Sequence, residues 1–504
     1  MNAQNVEGCK VIGHSTKPKP LTWKQSFLWL ALAVACFHAA YTSIHVPAAG
    51  LMIVGYALAL TQLPNQPNVR RAFYFGLATG FLCYAPQLWF FFKIFNVAAI
   101  VLWLLLAFWV GLFTAIVCGS IRRWGLHRAV WLIPVVWTGL EYFRSELYYL
   151  KFSWLNIGYA LPPIFSFLGA GMYGCGFVIF AMVTVLLYYR TSLITFLSTK
   201  MSPVERILLA IVIFVLFLVL LPGFASAKSR PRVSLSLVGV QLEFPQAAVL
   251  PKMLNLAFAQ HTNADIFVLS EYTLDGPVPE PLKAWCRAHS RVLVVGGKDP
   301  VGTNHYCNTA FVVGTNGEIV FQQGKCVPIQ FFNDGLPARS QKVWDSPWGR
   351  IGFCVCYDLS YTRVTDELVG QGAQLLIVPT MDVEDWSRHE HELHTRVAPV
   401  RAAEYGIPIF RLASSGISQA VAANSEVIAE APMPGTGNFL VAKLWLPSHA
   451  SLPRDRWLAP LCTGITAAVT ALLLFLTWRN RQPSSPNVAR VRPEALHAGN
   501  PAEH

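Results

Sequence analysis

A carboxylate, an amine and a thiol stand at Glu271, Lys325 and Cys356, the first and last directly after short apolar runs and the amine in a loop. Cys356 closes Arg350-Ile351-Gly352-Phe353-Cys354-Val355-Cys356-Tyr357-Asp358, a run opened by Gly and ended by Asp. This reads as a buried strand that delivers its last side chains to a sheet edge. Glu271 directly follows Ile266-Phe267-Val268-Leu269-Ser270, and Lys325 lies in Gln322-Gln323-Gly324-Lys325-Cys326-Val327-Pro328, a loop punctuated by Gly and Pro. A free thiol, with a pKa of about 8.5, is mostly protonated at neutral pH. To act as a nucleophile it needs a base for its proton and a cation for its thiolate. Most free cysteines are small buried hydrophobes, and most lone Lys or Glu residues are solvated charges. Position sets Glu271 and Cys356 apart, because α/β sheets build their sites at the carboxyl ends of strands, and Lys325 adds a cation from a loop.

The elements that must position them lie within 231–446. Strand-like runs occur at 233–240, 266–269, 292–295, 309–313, 351–355, 375–378 and 409–412, with helix-like stretches at 246–260 and 281–289 between them. Strands alternating with helices give an α/β domain, and the length suits one core.

The rest of the chain has a different composition. At 504 residues, 54% hydrophobic and 13% charged, it is too apolar for an ordinary soluble protein. Runs with little or no charge lie near 25–44, 48–63, 72–92, 96–119, 129–142, 165–189, 206–224 and 458–478. The longer ones can cross a hydrocarbon core about 30 Å thick; those at 48–63 and 129–142 are short enough that a buried core helix remains open. With the N-terminus inside, the inner segments carry Lys10, Lys17, Lys19, Lys24, Arg70, Arg71, Arg122, Arg123, Arg128, Arg190, Lys200 and Arg206. Arg479, Arg481, Arg490 and Arg492 follow the last run, whereas the short outer loops hold Lys93, Arg144 and Lys151. That asymmetry follows the positive-inside rule.

The resulting division has a cytoplasmic tail over 1–24 and about seven transmembrane helices over 25–225. An extracytoplasmic domain over 226–456, a last transmembrane helix over 457–479 and a disordered cytoplasmic tail over 480–504 complete it. The first run lacks a small-x-small cleavage site and reads as a retained span. The net charge of +12 is then a topology signal, which argues against nucleic acid as a partner.

In order and position, Glu271, Lys325 and Cys356 resemble the Glu-Lys-Cys triad of the nitrilase, or carbon-nitrogen hydrolase, superfamily. Cys356-Tyr357-Asp358 resembles its Cys-Tyr-Glu. Arg401-Ala402-Ala403-Glu404-Tyr405-Gly406-Ile407-Pro408, followed by Ser415-Gly416-Ile417, resembles Arg-Ala-x-Glu-x-Gly-x-Pro and Asn-Gly-Ile. In the apolar part, Glu141-Tyr142-Phe143-Arg144 and Phe152-Ser153-Trp154-Leu155-Asn156-Ile157-Gly158-Tyr159 resemble Glu-Trp-Leu-Arg and Pro-Trp-Leu-x-x-Gly-Tyr. Together, over nearly the whole chain, these segments resemble the bacterial apolipoprotein N-acyltransferases, the membrane-embedded branch of that superfamily. The resemblance implies a multi-span α-helical membrane protein carrying an α/β nitrilase-like domain, an αββα sandwich, on the periplasmic side of the inner membrane. There are departures. Ungapped counting from Lys325 puts Asn333 where the family has a second glutamate, with Asp334 beside it; Asp358 is one methylene short of the usual Glu; and Lys325-Cys326-Val327 replaces Lys-Arg-His.

The implied chemistry is ping-pong acyl transfer through a Cys356 thioester. Glu271 is the base, and Lys325 and the Tyr357 backbone N–H hold the oxyanion. The implied donor is a membrane phospholipid and the implied acceptor a lipoprotein bearing an N-terminal diacylglyceryl-cysteine; the working unit is a monomer, with no cofactor and no metal. Tyr357, Asp358, Asn333, His394, Arg401 and Glu404 fall behind the triad. Ile329, Phe331, Phe332, Trp386 and Trp154 fall where an apolar lid would keep water from the thioester. Two other readings stay open: a membrane-anchored amidase or nitrilase-type hydrolase, and a catalytically impaired paralogue that binds lipid or lipoprotein. Arg388-His389-Glu390-His391-Glu392-Leu393-His394 lacks the His-Glu-x-x-His spacing and reads as a helix face at the site's mouth. Cys354, two residues before Cys356 on the same strand face, is the rival nucleophile. Cys286, Cys307, Cys326, Cys354 and Cys356 are an odd set, so one at least stays unpaired within the chain.

Overall fold

The computed structural model describes residues 19–42, 47–161, 169–193, 233–435 and 437–480. The run expected to span at 206–224, most of the N-terminal tail and the tail beyond 480 lie outside the described residues. The N-terminal part is helical: α1 (Trp23–Ala40), α2 (Met52–Leu60), α3 (Val69–Gln87), α4 (Phe90–Phe95), α5 (Ala98–Trp124), α6 (Leu126–Ala129), α7 (Ile133–Tyr142), α8 (Ile157–Ala160) and α9 (Met172–Leu193). Thr22 opens α1 through a reciprocal capping box with Gln25, and Asn68 opens α3 by accepting from the Arg71 N–H at 2.7 Å. Small residues let α3 and α5 approach closely: a Cβ on Gly80 would meet Ala107 Cα at 2.8 Å. Among the described residues, Ala98–Trp124 and Asp455–Arg479 are long and apolar enough to cross a bilayer; Ala48–Leu60 and Met172–Tyr188 are apolar but shorter.

Residues 233–446 form two six-stranded sheets. The first contains β1 (Val233–Val240), β2 (Ile266–Leu269), β3 (Val292–Val301), β4 (His305–Val313) and β5 (Ile319–Gly324). The second contains β6 (Val343–Ser346), β7 (Gly349–Phe353), β8 (Leu375–Thr380), β9 (Ile409–Ala413), β10 (Ser418–Val421) and β11 (Val427–Ala431). A last strand, β12 (Phe439–Leu446), returns to the first, so the orders are β12-β1-β2-β3-β4-β5 and β11-β10-β9-β8-β7-β6. β1, β2 and β3 run parallel, as do β7, β8 and β9.

Alternate residues of each central strand serve different cores, as a period of two requires. Leu237, Ile266 and Val268 join Ile351, Phe353 and Ile377 between the sheets. Val238, Phe267 and Leu269 instead meet Leu254 of α10 (Leu250–Gln260) and Leu282 of α11 (Glu280–His289). On the outer side of the second sheet lie α12 (Thr362–Gly370) and, after α13 (Arg388–Thr395), α14 (Val397–Tyr405). The layers are therefore α-β-β-α. The chain then passes into α15 (Asp455–Arg479).

The helical part and the sheets are joined by buried polar contacts. A π-helical turn, Phe143–Leu147, interrupts the chain after α7 and carries Glu146, whose Oε1 accepts from the Thr362 N–H at 3.1 Å and Tyr173 Oη at 2.9 Å. Trp154 Nε1 donates to Ser360 Oγ at 3.1 Å, Glu404 Oε1 accepts from the Met172 N–H at 2.6 Å, and Asp455 Oδ2 accepts from the Tyr173 N–H at 2.9 Å. Arg401, fully buried, pairs with Glu404 at 2.5 Å and donates to the Leu359 and Ser360 carbonyls at 3.1 and 2.8 Å. Glu404→Leu is expected to strand the Arg401 charge and cost about 3–5 kcal/mol, read as a lowered unfolding temperature in detergent. Asp345→Ala, which breaks the exposed pair with Arg350, should cost no more than about 1 kcal/mol.

Candidate active site

Three strand ends bring the chemistry together. Glu271 lies two residues beyond β2, Lys325 one beyond β5 and Cys356 three beyond β7. The strand read through residue 355 stops at Phe353, and Cys356 opens a 3₁₀ turn, Cys356–Ser360. Its φ of +52° lies in the left-handed region that non-glycine residues seldom adopt, a local strain of the kind concentrated at functional sites. That turn ends the strand's alternation, so Cys354 and Cys356 do not share a face. The Cys354 thiol is fully buried, with Asp358, Cys326 and Arg401 as its charged or ionisable neighbours; Cys356 has Glu271, Lys325 and Asp382. Gly296 on β3 leaves room for the Glu271 turn, since a Cβ there would meet Glu271 Cα at 2.6 Å.

Lys325 is the centre of the site. Its Nζ lies 2.9 Å from Glu271 Oε1 and 2.7 Å from Asp334 Oδ2. Asn308 Nδ2 donates to both carboxylates, at 2.6 Å to Glu271 and 2.9 Å to Asp334. The Met381 N–H takes the other Glu271 oxygen at 2.7 Å, and Asp334 also accepts from Tyr272 Oη at 2.7 Å and the Ile329 N–H at 2.8 Å. The position expected for Asn333 is therefore one residue off. Asn333 is exposed, and its carbonyl accepts from Tyr306 Oη, while Asp334 supplies the second carboxylate. The ungapped count failed because Phe331 takes a positive φ of 71° and the loop doubles back, so spacing along the chain does not track position in space. Asp358 accepts from the N–H groups of Cys326, at 3.0 Å, and Val327, at 2.7 Å, which fixes the segment after Lys325.

Two carboxylates around one ammonium leave a surplus negative charge beside the thiol. Burial pushes Cys356 well above the usual thiol range, Glu271 adds to this, and Lys325 opposes it. Burial likewise raises Glu271, against the pull of Lys325, which is the direction a general base for a thiol requires. Burial disfavours charge on Lys325, but Glu271 and Asp334 outweigh it and hold the amine well above its ordinary value. Asp358 is pushed up to about 6 by burial, against three backbone N–H groups. The site thus holds its thiol, its Glu271 carboxylate and its amine all above their ordinary values.

Cys356 lies on the wall of a mostly apolar pocket between α4, α5, the 148–154 segment and the loops of the sheets. Ile329, Phe331, Phe332, Trp386, Trp154, Tyr357 and His394 all line it. Trp154 stacks on His394 with ring centroids 4.6 Å apart, and Phe95 of α4 meets Phe331 and Phe332 at 6.0 and 5.7 Å. Behind His394 lies a charge network that the sequence reading missed. Asp382 accepts from Arg411 at 2.6 Å and contacts His394 Nδ1 at 2.8 Å, while His391 Nδ1 lies 2.7 Å from Glu390 Oε2. Asp382, Glu390 and His391 bring one donor atom each within 4.8 Å of one another. Both Asp382 oxygens are already engaged by protein cations or imidazole, so the group is read as an ion-pair network. Asp382 directly follows Met381 after β8, and the strand-end rule that found Glu271 would have found it.

Residues 33–186 match the apolipoprotein N-acyltransferase N-terminal domain, and residues 243–453 match the carbon-nitrogen hydrolase family. The chain belongs to the apolipoprotein N-acyltransferase family. An apolipoprotein N-acyltransferase of Geobacter metallireducens is 24% identical over 425 residues, covering 73% of this chain and 80% of its own. Another, from Haemophilus ducreyi, is 23% identical over 395 residues, covering 68% and 74%. The crystal structure of a carbon-nitrogen hydrolase from Helicobacter pylori aligns with 49% of this chain and 95% of its own, at 17% identity and a TM-score of 0.37. This protein is an acyltransferase.

Two outcomes test the site. Asp334→Ala should lower acyltransferase activity about 100-fold, the scale of losing one preorganised electrostatic group, whereas the exposed Asn333→Ala should stay within about twofold. Glu271→Gln removes a charge that raises the Cys356 thiol, so iodoacetamide should alkylate Cys356 faster at neutral pH while acyltransferase activity falls.

Proposed function

We propose that the chain takes an acyl group from a membrane phospholipid onto Cys356 and passes it to the N-terminal amine of a diacylglyceryl-cysteine lipoprotein. The observation that carries this is the pairing of Cys356, Glu271 and Lys325 with an apolar pocket whose far wall is α5, a helix long enough to span a bilayer. Acyl chains lose about 0.8 kcal/mol per CH₂ on leaving an apolar phase, so a site for lipid esters belongs beside the bilayer.

In the first half-reaction Glu271 takes the thiol proton and the sulfur attacks the ester carbonyl. Lys325 and the Tyr357 backbone N–H stabilise the oxyanion as it forms. The intermediate collapses, the C–O bond breaks, and Glu271 returns the proton to the departing lysophospholipid. In the second, a neutral amine attacks the thioester, Glu271 takes the amine proton, and the sulfur leaves and is reprotonated. The lid formed by Phe331, Phe332, Trp386 and Trp154 keeps water from the thioester, and Asp358, Arg401, Glu404 and His394 hold the loops that present it.

The helical part is read as a multi-span bundle of a bacterial cytoplasmic membrane, with the sheets on the periplasmic side. Exposed large apolar side chains, including Leu28 on α1, Leu82 on α3, Leu104 on α5, Leu186 on α9 and Phe475 on α15, support a lipid-facing surface. The lysine and arginine asymmetry supports the sidedness. The helices occupy about 25–225 and 457–479, with the catalytic domain at 226–456 between them.

Incubation with phospholipid labelled in its acyl chain should give a hydroxylamine-sensitive acyl-protein that is absent in Cys356→Ala and present in Cys354→Ala. Adding a diacylglyceryl lipopeptide should then move the label to the peptide amine. An adduct that survives in Cys356→Ala, or release of free fatty acid with no peptide product, would sink the proposal.

A further inference from the structure

Glu390 lies on α13, is 1% exposed and lines the same pocket as Cys356. Its Oε2 lies 2.7 Å from His391 Nδ1 and its Oε1 3.9 Å from His394 Nδ1, yet neither carboxylate oxygen accepts a hydrogen bond. A buried carboxylate oxygen without a donor is costly, and sites that keep one usually have a use for it. The triad does not engage Glu390. Burial and the neighbouring Asp382 push it up to about 7, against the pull of His391 and Arg411.

The acyl-transfer step leaves one role unfilled. The acceptor's α-amine has a solution pKa of about 7.7–8.0, so near neutrality it is mostly an ammonium with no lone pair for attack. It must lose a first proton before attack, and Glu271 is committed to the second. Lys325 cannot serve, since it is a fixed cation that repels an ammonium.

We propose that Glu390 is the acceptor-amine site of this enzyme: its free oxygen receives the incoming primary ammonium and takes the first proton, delivering a neutral amine to the thioester. This rests on the thioester reading above. The step balances: R–NH₃⁺ and the Glu390 carboxylate become R–NH₂ and a carboxylic acid, the amine nitrogen forms the C–N bond, and the C–S bond breaks. Glu271 passes the second proton to sulfur, and Glu390 releases the first to solvent after the product leaves. His391, held up to about 10 by Glu390 and Asp382 against burial, keeps a positive charge beside Glu390, so the network stays close to neutral as the proton comes and goes. The groups facing Glu390 are Asp382, His391, His394 and Arg411 from the protein side, and Cys356, Tyr357, Tyr148 and Lys151 around the pocket.

The test separates the half-reactions in the full-length protein. Acyl-enzyme formation from labelled phospholipid and transfer to a synthetic diacylglyceryl lipopeptide are timed from about pH 6.5 to 9.5. In Glu390→Gln, transfer near pH 7 should fall by roughly six- to tenfold relative to acyl-enzyme formation, the scale set by the small neutral fraction of the free amine. The deficit should shrink to within about twofold by pH 9.5, where the amine arrives neutral. Wild-type transfer should fall below about pH 7, because Glu390 then carries its own proton. A deficit independent of pH, or none, overturns the proposal. Should Glu390→Gln not fold, Glu390→Ala takes its place and reads the same way: a deficit near pH 7 that closes by pH 9.5 supports the site, and a pH-independent deficit, or none, refutes it. If wild-type protein forms no Cys356 thioester, the proposed function itself fails; if it does and both variants transfer like wild type, only the Glu390 assignment fails.

Discussion

An ammonium group with almost no contact with water can be held only where anions surround it, and Lys325 sets that requirement for the whole active site. One carboxylate would neutralise it; two, Glu271 and Asp334, overcompensate, and Asn308 and the Met381 N–H are needed to share the excess. Glu271 follows β2, Lys325 follows β5, Asn308 lies on β4, Asp334 lies in the loop after β5 and Met381 follows β8 of the other sheet. The sheets must therefore come together in one register before the charge can be satisfied. Burial raises the Cys356 thiol, and the negative charge of Glu271 adds to it against the pull of Lys325.

A second constraint acts from the helical side. The strained turn that presents Cys356 continues into Leu359, Ser360 and Thr362, and each of these is held by a buried partner: Arg401, Trp154 and Glu146. Two of those partners belong to the strand-facing and π-turn ends of separate layers, so the nucleophile turn is clamped from opposite sides. The π-helical turn at Phe143–Leu147 earns its irregularity here, since it directs Glu146 toward the Thr362 N–H.

How much of this could be read from sequence depended on locality. β1 and β2 end where the apolar runs do, and the α/β domain follows from them. β12 alternates buried and exposed residues throughout, a signal present in Phe439-Leu440-Val441-Ala442-Lys443-Leu444-Trp445-Leu446 but overlooked. β5 and β11 are mostly exposed edge strands, with little apolar pattern to find. Glu271 and Cys356 were legible because each abuts an apolar run, and Lys325 because its place between them completes the Glu-Lys-Cys order. Asp334 was not, since a reversing loop decides which of two adjacent residues turns inward. The Asp382–Arg411–His394 network joins residues from β8, β9 and α13, and no spacing along the chain encodes it.

The clamp has one more consequence. Because Glu146, Trp154 and Glu404 fasten the sheet domain to the helices at separated points, the thiol stands at a fixed height above the helical base. An enzyme built this way works as a gauge. It acts on whatever bond its substrate presents at that one altitude, so a lipoprotein need share with its fellows only the distance between its anchor and its amine, whatever sequence follows.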